Sequence, residues 1–187
     1  MGIIKLFKEI REFAKLMKEL PKETEQRRCD NAGLTTEELA AIPDDDLLFV
    51  VIDRIDTVID AHGELTEGFA ALNDHQKVVF AVNYLEMEVN NGGLCQFFVN
   101  SSRAVAPFIS DYLGLIGAKE HKALFDGFLA KTGIDLTDLS SFAIRRIRDF
   151  EKQAKRYPFD EYDDKFYTLP SLQEPLTAYI REHLNEF

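Results

Sequence analysis

Apolar residues recur at the spacing of an α-helix along most of the chain. Between residues 47 and 59 they follow one another at steps of three and four, which places them on one face of a helix. They are Leu47, Leu48, Val51, Ile52, Ile55, Val58 and Ile59. The opposite face of this helix carries Asp53, Asp56 and Asp60. Similar runs continue to the C-terminus without strand-like alternation, so we predict an all-α fold, a single compact domain of about eight helices.

Polar residues mark where the first of these helices begin. Thr35 or Thr36, followed by two glutamates, is typical of a helix start, and Pro43 followed by three aspartates indicates another. Asn73 with Gln76 predicts a capping box for a helix that runs to residue 89. β-branched residues are frequent in that helix, so propensity alone would also allow a strand. The helical spacing and the cap favour the helix.

Later helices are predicted over residues 93–101, 104–116 and 118–131, and Gly133 is expected to end the last of them. Asp138 is expected to cap a helix over residues 139–156, which carries several basic residues and which Pro158 ends. The acidic, aromatic stretch from Phe159 to Tyr167 is then expected to connect to a final helix over residues 171–186.

The N-terminal residues 1–22 predict an amphipathic helix with lysines and an arginine between its apolar positions. A basic amphipathic helix can lie on a membrane or act as a docking arm. Acidic residues among the bases weaken any attraction to anionic lipid, so packing on its own domain or on a second subunit is favoured. Pro21 and the polar run after it predict a loop or hinge over residues 23–34, and the all-helical domain is expected to cover residues 35–187.

The negative charge of the chain is concentrated in one segment. Of the net charge of −11, residues 36–100 account for the whole excess, with thirteen acidic and two basic side chains. Such a field repels nucleic acid and attracts a basic partner at a rate that depends on salt. The alternative is an acidic surface that serves only solubility.

Cysteine usage and hydropathy indicate the compartment. Cys29 and Cys95 form neither a CxxC motif nor a pair with zinc-site spacing, which favours a reducing environment. The sequence has no apolar run of the ~18 residues that a membrane helix needs. We therefore predict a cytoplasmic protein without a membrane span.

Residues that could carry chemistry do not converge in the sequence. The serines lack a nucleophile-elbow motif, the four histidines show no metal-site pairing, and no nucleotide-binding fingerprint occurs, so we predict no enzyme, no cofactor and no metal. Glu86 and Glu88 near two asparagines could suggest a divalent-cation site, but their side chains point in different directions on a helix, which favours a structural role. Gln96, Asn100 and Ser101 are expected to satisfy backbone groups at a helix break rather than to bind a ligand.

That break is predicted at Asn90-Asn91-Gly92-Gly93, because asparagine and glycine tolerate positive φ. The segment resembles the DNA-mimic proteins, a family of acidic, all-helical bacterial proteins. The resemblance lies in short motifs in the family's order and in the C-terminal tail, and it covers residues 73–187. The motifs are Asn91-Gly92-Gly93, Gln96-Phe97-Phe98, Asn100-Ser101-Ser102 and Ile116-Gly117-Ala118, and the tail runs from Pro158 to Phe187.

The resemblance implies a non-enzymatic acidic protein that occupies the DNA-binding surface of a basic DNA-binding protein and does not itself bind nucleic acid. It also implies a homodimer. Carboxylates along a rigid helix have a spacing comparable to that of DNA phosphates, although ordinary acidic helices share that spacing. The predicted partner-binding residues are Asp44, Asp45, Asp46, Asp53, Asp56, Asp60, Glu64 and Glu67, and Glu86 and Glu88 could extend them. The alternative function is an interaction or immunity-type module or an oligomeric scaffold that uses the N-terminal helix.

Overall fold

The computed structural model describes residues 22–144 and 146–187, and in this part of the chain every regular element is an α-helix or a 3-10 helix. The predicted all-α fold is confirmed. Helix α1 is described over residues 22–32. The other helices are α2 (Thr36–Ala41), α3 (Asp44–Asp60), α4 (Leu65–Ala71), α5 (Asp74–Val99), α6 (Ala106–Leu115), α7 (Lys119–Thr132), α8 (Ile147–Ala154), α9 (Phe159–Phe166) and α10 (Gln173–Glu182). Short 3-10 helices lie at Ser101–Val105, Ser140–Phe142 and Leu184–Glu186. The predicted amphipathic helix over residues 1–22 lies outside the described residues, apart from its last residue.

The long helix α5 lies at the centre of the fold. Helices α3, α6, α8, α9 and α10 all pack against it. Its second half buries Phe97 and Phe98 completely. The Phe98 ring lies within 5.1 to 6.4 Å, centroid to centroid, of four further phenylalanine rings, and this aromatic cluster joins α5 to α7, to α9 and to the Ser140–Phe142 turn. Aromatic burial on this scale supplies a large share of the apolar surface that folding removes from water.

The predicted helix ends are confirmed where side chains form caps. The Thr35 hydroxyl accepts a hydrogen bond from the backbone N–H of Glu38, whose carboxylate accepts one from the backbone N–H of Thr35. Asn73 and Gln76 form the same reciprocal box at the start of α5. Gly133 follows α7 with φ of 64°, the left-handed conformation that ends a helix.

Three predicted segments differ from the structure. The predicted loop over residues 23–34 is helical from 22 to 32, because arginines in this polar run pair with carboxylates on α3. The predicted connection from Phe159 to Tyr167 is mostly helix α9, which buries Phe159, Tyr162 and Phe166 at helical spacing. The predicted helix over residues 139–156 begins only at Ile147, since the Asp138 carboxylate accepts a hydrogen bond from the N–H of Ser140 in a local turn and caps no helix.

Helices α3 and α4 meet so closely that only glycine fits at position 68. A Cβ atom added to Gly68 would lie 2.7 Å from Cα and 2.8 Å from the carbonyl oxygen of Ile59. Because these are backbone atoms, they cannot move aside without separating the helices. We expect Gly68→Ala to lower the free energy of unfolding by about 2 kcal/mol, measured by urea titration with far-UV circular dichroism.

Gly127 provides the matched control, because it is also helical and an added Cβ would meet only a side-chain atom of Tyr162 at 3.9 Å. Gly127→Ala should leave stability unchanged or raise it by about 0.5–1 kcal/mol through helix propensity. Equal effects of the two substitutions would contradict a close backbone approach at Gly68.

Candidate acidic interface

The structure divides the predicted partner-binding residues into three groups along α3 and α4. Asp53, Asp56 and Asp60, which we call the acidic face, lie on the middle and end of α3 under the described part of α1. Asp44, Asp45 and Asp46 form the first turn of α3, beside α10. Glu64 and Glu67 are exposed at the start of α4. The eight residues therefore do not form one continuous patch of equally exposed carboxylates.

Two arginines of α1 bind the acidic face. Arg27 donates from Nε to Oδ2 of Asp53 at 2.7 Å and from Nη2 to Oδ1 at 3.2 Å. Arg28 donates to Oδ2 of Asp56 at 2.7 Å and to Oδ2 of Asp60 at 2.6 Å. These three predicted partner-binding aspartates are therefore paired with arginines of the same chain in this structure.

Two neutral side chains also donate hydrogen bonds to the acidic face. Asn31, one turn after the arginines, donates from Nδ2 to Asp53 at 2.8 Å. On the far side of the face, the Tyr84 hydroxyl of α5 donates to Oδ1 of Asp56 at 3.1 Å. Asp53 and Asp56 are 3% and 8% exposed, so each carboxylate exchanges water for these donors.

Burial and the surrounding charges move the pKa values of the two buried aspartates in opposite directions. Burial alone would raise the pKa of Asp53, but hydrogen bonds from Arg27 and Asn31 and the charges of both arginines outweigh it and hold the pKa below its usual value. At Asp56 burial is the larger effect and raises the pKa, although Arg28 and Tyr84 act against it. Asp53 is thus the more firmly ionised member of the pair.

The first turn of α3 borders a groove of about 570 Å³. Asp44 accepts a hydrogen bond from Nε of Arg181 at 2.8 Å, and Arg181 also donates to backbone carbonyls of the α2 region. Asp45 and Glu174 line the same groove, and Asp46 is exposed next to it. This end of α3 therefore offers carboxylates to solvent, in contrast to the acidic face.

The predicted break in α5 is a kink between two helical segments. Gly92 is non-helical, with φ of −164°, and Gly93 has φ of 77° and ψ of 176°, a conformation that favours glycine. The N–H of Leu94 would lack a helical partner at this point, and it donates to Oδ1 of Asp163 at 2.8 Å. The prediction that a helix stops and another starts here is confirmed. Asn91 is exposed, and its side chain makes no hydrogen bond to any described residue.

A buried carboxylate holds the two sides of the kink together. Glu88 is 8% exposed and accepts hydrogen bonds from Gln96 at 2.7 Å, from Asn100 at 2.8 Å and from Ser102 at 3.1 Å. Gln96 and Asn100 therefore donate to a carboxylate and not to the backbone groups predicted for them. The serine that takes part in these contacts is Ser102, and not the predicted Ser101. We call Glu88, Gln96, Asn100 and Ser102 the kink network.

Because Glu88 is buried in the kink network, it is not available to an exposed interface. Glu86 is also occupied within the fold, since it accepts a hydrogen bond from the N–H of Leu172 at 2.8 Å.

In the part of the chain that the structure describes, no three His, Cys, Asp or Glu side chains are grouped as a metal site would require. Among the same residues, no helix combines the length and apolar character needed to cross a bilayer.

A family model described as DMP19-like protein matches residues 70–183. The chain belongs to the DMP19-like family. The DMP19-like match contains α5 with its kink and continues into the C-terminal region, so the kink network lies inside it. The acidic face lies before residue 70 and is outside the match. No curated protein and no solved structure matches the chain.

Sequence reasoning missed the arginines that cover the acidic face. Arg27 and Arg28 lie in the polar run after Pro21, and a proline followed by polar residues predicts a loop. The available signal was a pair of adjacent arginines close in sequence to a helix with aspartates at steps of three and four. Charge complementarity between two segments, unlike apolar periodicity, does not indicate which acids a base will meet.

Proposed function

We propose that this protein is a non-enzymatic DNA mimic that binds a basic DNA-binding protein at the surface which that protein uses for DNA. The observation that carries the proposal is the negative charge of residues 36–100, which contain thirteen acidic and only two basic side chains. Membership of the DMP19-like family supports it, because the family resemblance implies DNA mimicry.

The exposed acids at the two ends of α3 are the first contact points in this proposal. Asp45 and Asp46 lie at its start, and Glu64 and Glu67 follow its end. A helix of 17 residues is about 25 Å long, which corresponds to about seven phosphates along one strand of duplex DNA. A basic surface built to contact a DNA backbone could therefore contact both ends of α3 at once.

The rigid interior of the domain supports mimicry as well. Carboxylates imitate phosphates only if their spacing is held, since a flexible array loses entropy when it binds. Helix α3 buries eight of its residues and packs against α4, α5 and α10, so its acids are carried on a fixed scaffold.

The test is a competition between this protein and DNA for one binding protein. The probe is a protein captured on the immobilised chain from a cell lysate and then purified, with fluorescent duplex DNA to which it binds. We expect this chain to displace the DNA, and we expect Asp45→Asn/Asp46→Asn to weaken displacement about fivefold, because two contacts with cations are lost. Fluorescence anisotropy at several salt concentrations measures the effect.

Asp111→Asn/Glu151→Gln is the matched control, because it removes the same charge from exposed positions on α6 and α8. It should compete as the parent does. A captured protein that keeps its DNA at saturating concentrations of this chain would refute the proposed function. If both double variants weaken DNA displacement equally, net charge alone causes the effect, and Asp45 and Asp46 are not specific contacts.

A further inference from the structure

The described part of α1 is attached to the domain by polar contacts. Its two small apolar residues, Cys29 and Ala32, are exposed, and no residue of 22–32 belongs to the hydrophobic core. These contacts include Arg27, Arg28 and Asn31 on the acidic face, together with Arg54, which donates to the carbonyl oxygen of Asn31 at 2.8 Å. Contacts of this kind weaken as salt screens them, whereas buried apolar contacts do not.

The arginines that hold α1 are themselves partly open to water. The side chains of Arg27 and Arg28 are 43% and 29% exposed. Arg28 Nε is buried without a hydrogen-bond acceptor in the described structure, and Oδ1 of Asp53 lies 3.7 Å from it. An unmet buried donor lowers the net gain from docking.

The surface beneath α1 is suited to an arginine-bearing helix. Asp53 receives one guanidinium through two parallel hydrogen bonds, the geometry in which arginine also binds phosphate. Next to it, the Phe49 ring is 52% exposed and lies 4.5 Å from the Arg27 guanidinium carbon, a cation–π contact. A guanidinium from another protein could use the same carboxylate and the same ring.

We propose that α1 is a removable cover of the acidic face, and that an incoming helix with two consecutive arginines takes its place. The proposal rests on the proposed function only in that the partner is basic. The acidic face has the same chemistry for both occupants, so α1 competes with the partner. The affinity of the partner for the parent chain then equals its affinity for the uncovered surface multiplied by the fraction of molecules in which α1 is displaced.

The test measures how tightly a defined basic helix binds with and without the cover. The probe is an alanine-based helical peptide that carries Arg-Arg-Ala-Ala-Asn, the spacing of Arg27, Arg28 and Asn31. We expect Arg27→Ala/Arg28→Ala to bind this peptide about tenfold more tightly than the parent chain does. Adding Asp53→Asn and Asp56→Asn to that variant should abolish the gain.

Lys152→Ala/Lys155→Ala is the control, since it removes the same charge from two exposed lysines, one on α8 and one just after it. It should bind the peptide as the parent does. Equal affinity for the parent and for Arg27→Ala/Arg28→Ala, or an equal gain in the lysine variant, would overturn the proposal.

A second measurement uses the parent chain, so that it does not depend on the folding of a variant. Cys29 is exposed, whereas Cys95 is buried and burial raises the pKa of its thiol to about 11, so a thiol-reactive fluorophore labels Cys29. We expect the peptide and 0.5 M salt each to change the fluorescence of the labelled parent chain, and to change it in the same direction. Peptide binding with an unchanged signal would show that α1 stays in place and would overturn the proposal.

The two proposals fail in different ways. If the uncovered variant binds the peptide more tightly but this chain does not displace DNA in the competition assay, the proposal of a removable cover is supported and DNA mimicry is refuted. If the parent and Arg27→Ala/Arg28→Ala displace DNA to the same extent, DNA mimicry is supported and the removable cover is refuted.

Discussion

Replacing Gly93 with alanine is expected to lower the free energy of unfolding by about 3 kcal/mol. Gly93 has φ of 77° and ψ of 176°, where an L-residue is strained. A Cβ at this position would also lie 2.1 Å from Oδ2 and 2.8 Å from Cγ of Asp163. The Asp163 carboxylate cannot retreat freely, because it accepts the hydrogen bond from Leu94 N–H, so relief of the clash costs that bond. Urea titration followed by far-UV circular dichroism measures the loss.

Gly117 gives the cost of a positive φ without a clash. Its φ is 75°, close to that of Gly93, but an added Cβ would meet nothing within 4 Å. Gly117→Ala should therefore cost about 1 kcal/mol, the strain of the backbone alone. In the Gly93→Ala background, Asp163→Ala should cost less than it does in the parent, since the clash disappears with the side chain. A loss at Gly93 no larger than that at Gly117 would contradict the close contact with Asp163.

The parts of the fold that follow from local rules could be predicted from the sequence. The apolar period of α3, the capping boxes at Thr35 and Asn73, and the glycine bend in α5 all arise from residues within a few positions of one another. In each case the sequence carries both the cause and the signal. The short helix α9 has the same kind of signal, Phe159, Tyr162 and Phe166, but its many acidic residues obscured it.

The candidate site was harder to predict, because burial of its acids depends on contacts far apart in sequence. Asp53 meets Arg27 across 26 positions, and Asp163 meets Leu94 across 69. On the sequence alone, Asp53 and Asp46 are equally acidic residues of one helix, yet the first is buried under α1 and the second is exposed. A pattern of charges shows that pairing can occur but does not show which acids pair and which remain for a partner.

The kink network provides the second large expected effect. Replacing Glu88 with alanine is expected to lower the free energy of unfolding by about 3 kcal/mol. Glu88 is the shared acceptor for Gln96, Asn100 and Ser102, so its loss leaves three donors on the second half of α5 and the following turn without a carboxylate. Gln96 and Asn100 can turn toward water, whereas Ser102 is 1% exposed and retains only the carbonyl oxygen of Phe97 at 3.3 Å.

Glu86 is the control for Glu88, since it lies two residues earlier and accepts a single hydrogen bond within the described part of the chain, from Leu172 N–H. Glu86→Ala should cost about 1 kcal/mol. Glu88→Gln should cost about 1.5 kcal/mol, because an amide keeps one acceptor oxygen but turns its own N–H groups toward other donors.

If Glu88 joins the two sides of the kink, the effects of losing Glu88 and of losing Asn100 are coupled. The double variant Glu88→Ala/Asn100→Ala should then lose less unfolding free energy than the sum of the losses in the two single variants. Additive effects, or a loss at Glu88 equal to that at Glu86, would mean that Gly92, Gly93 and Asp163 hold the kink without the buried carboxylate.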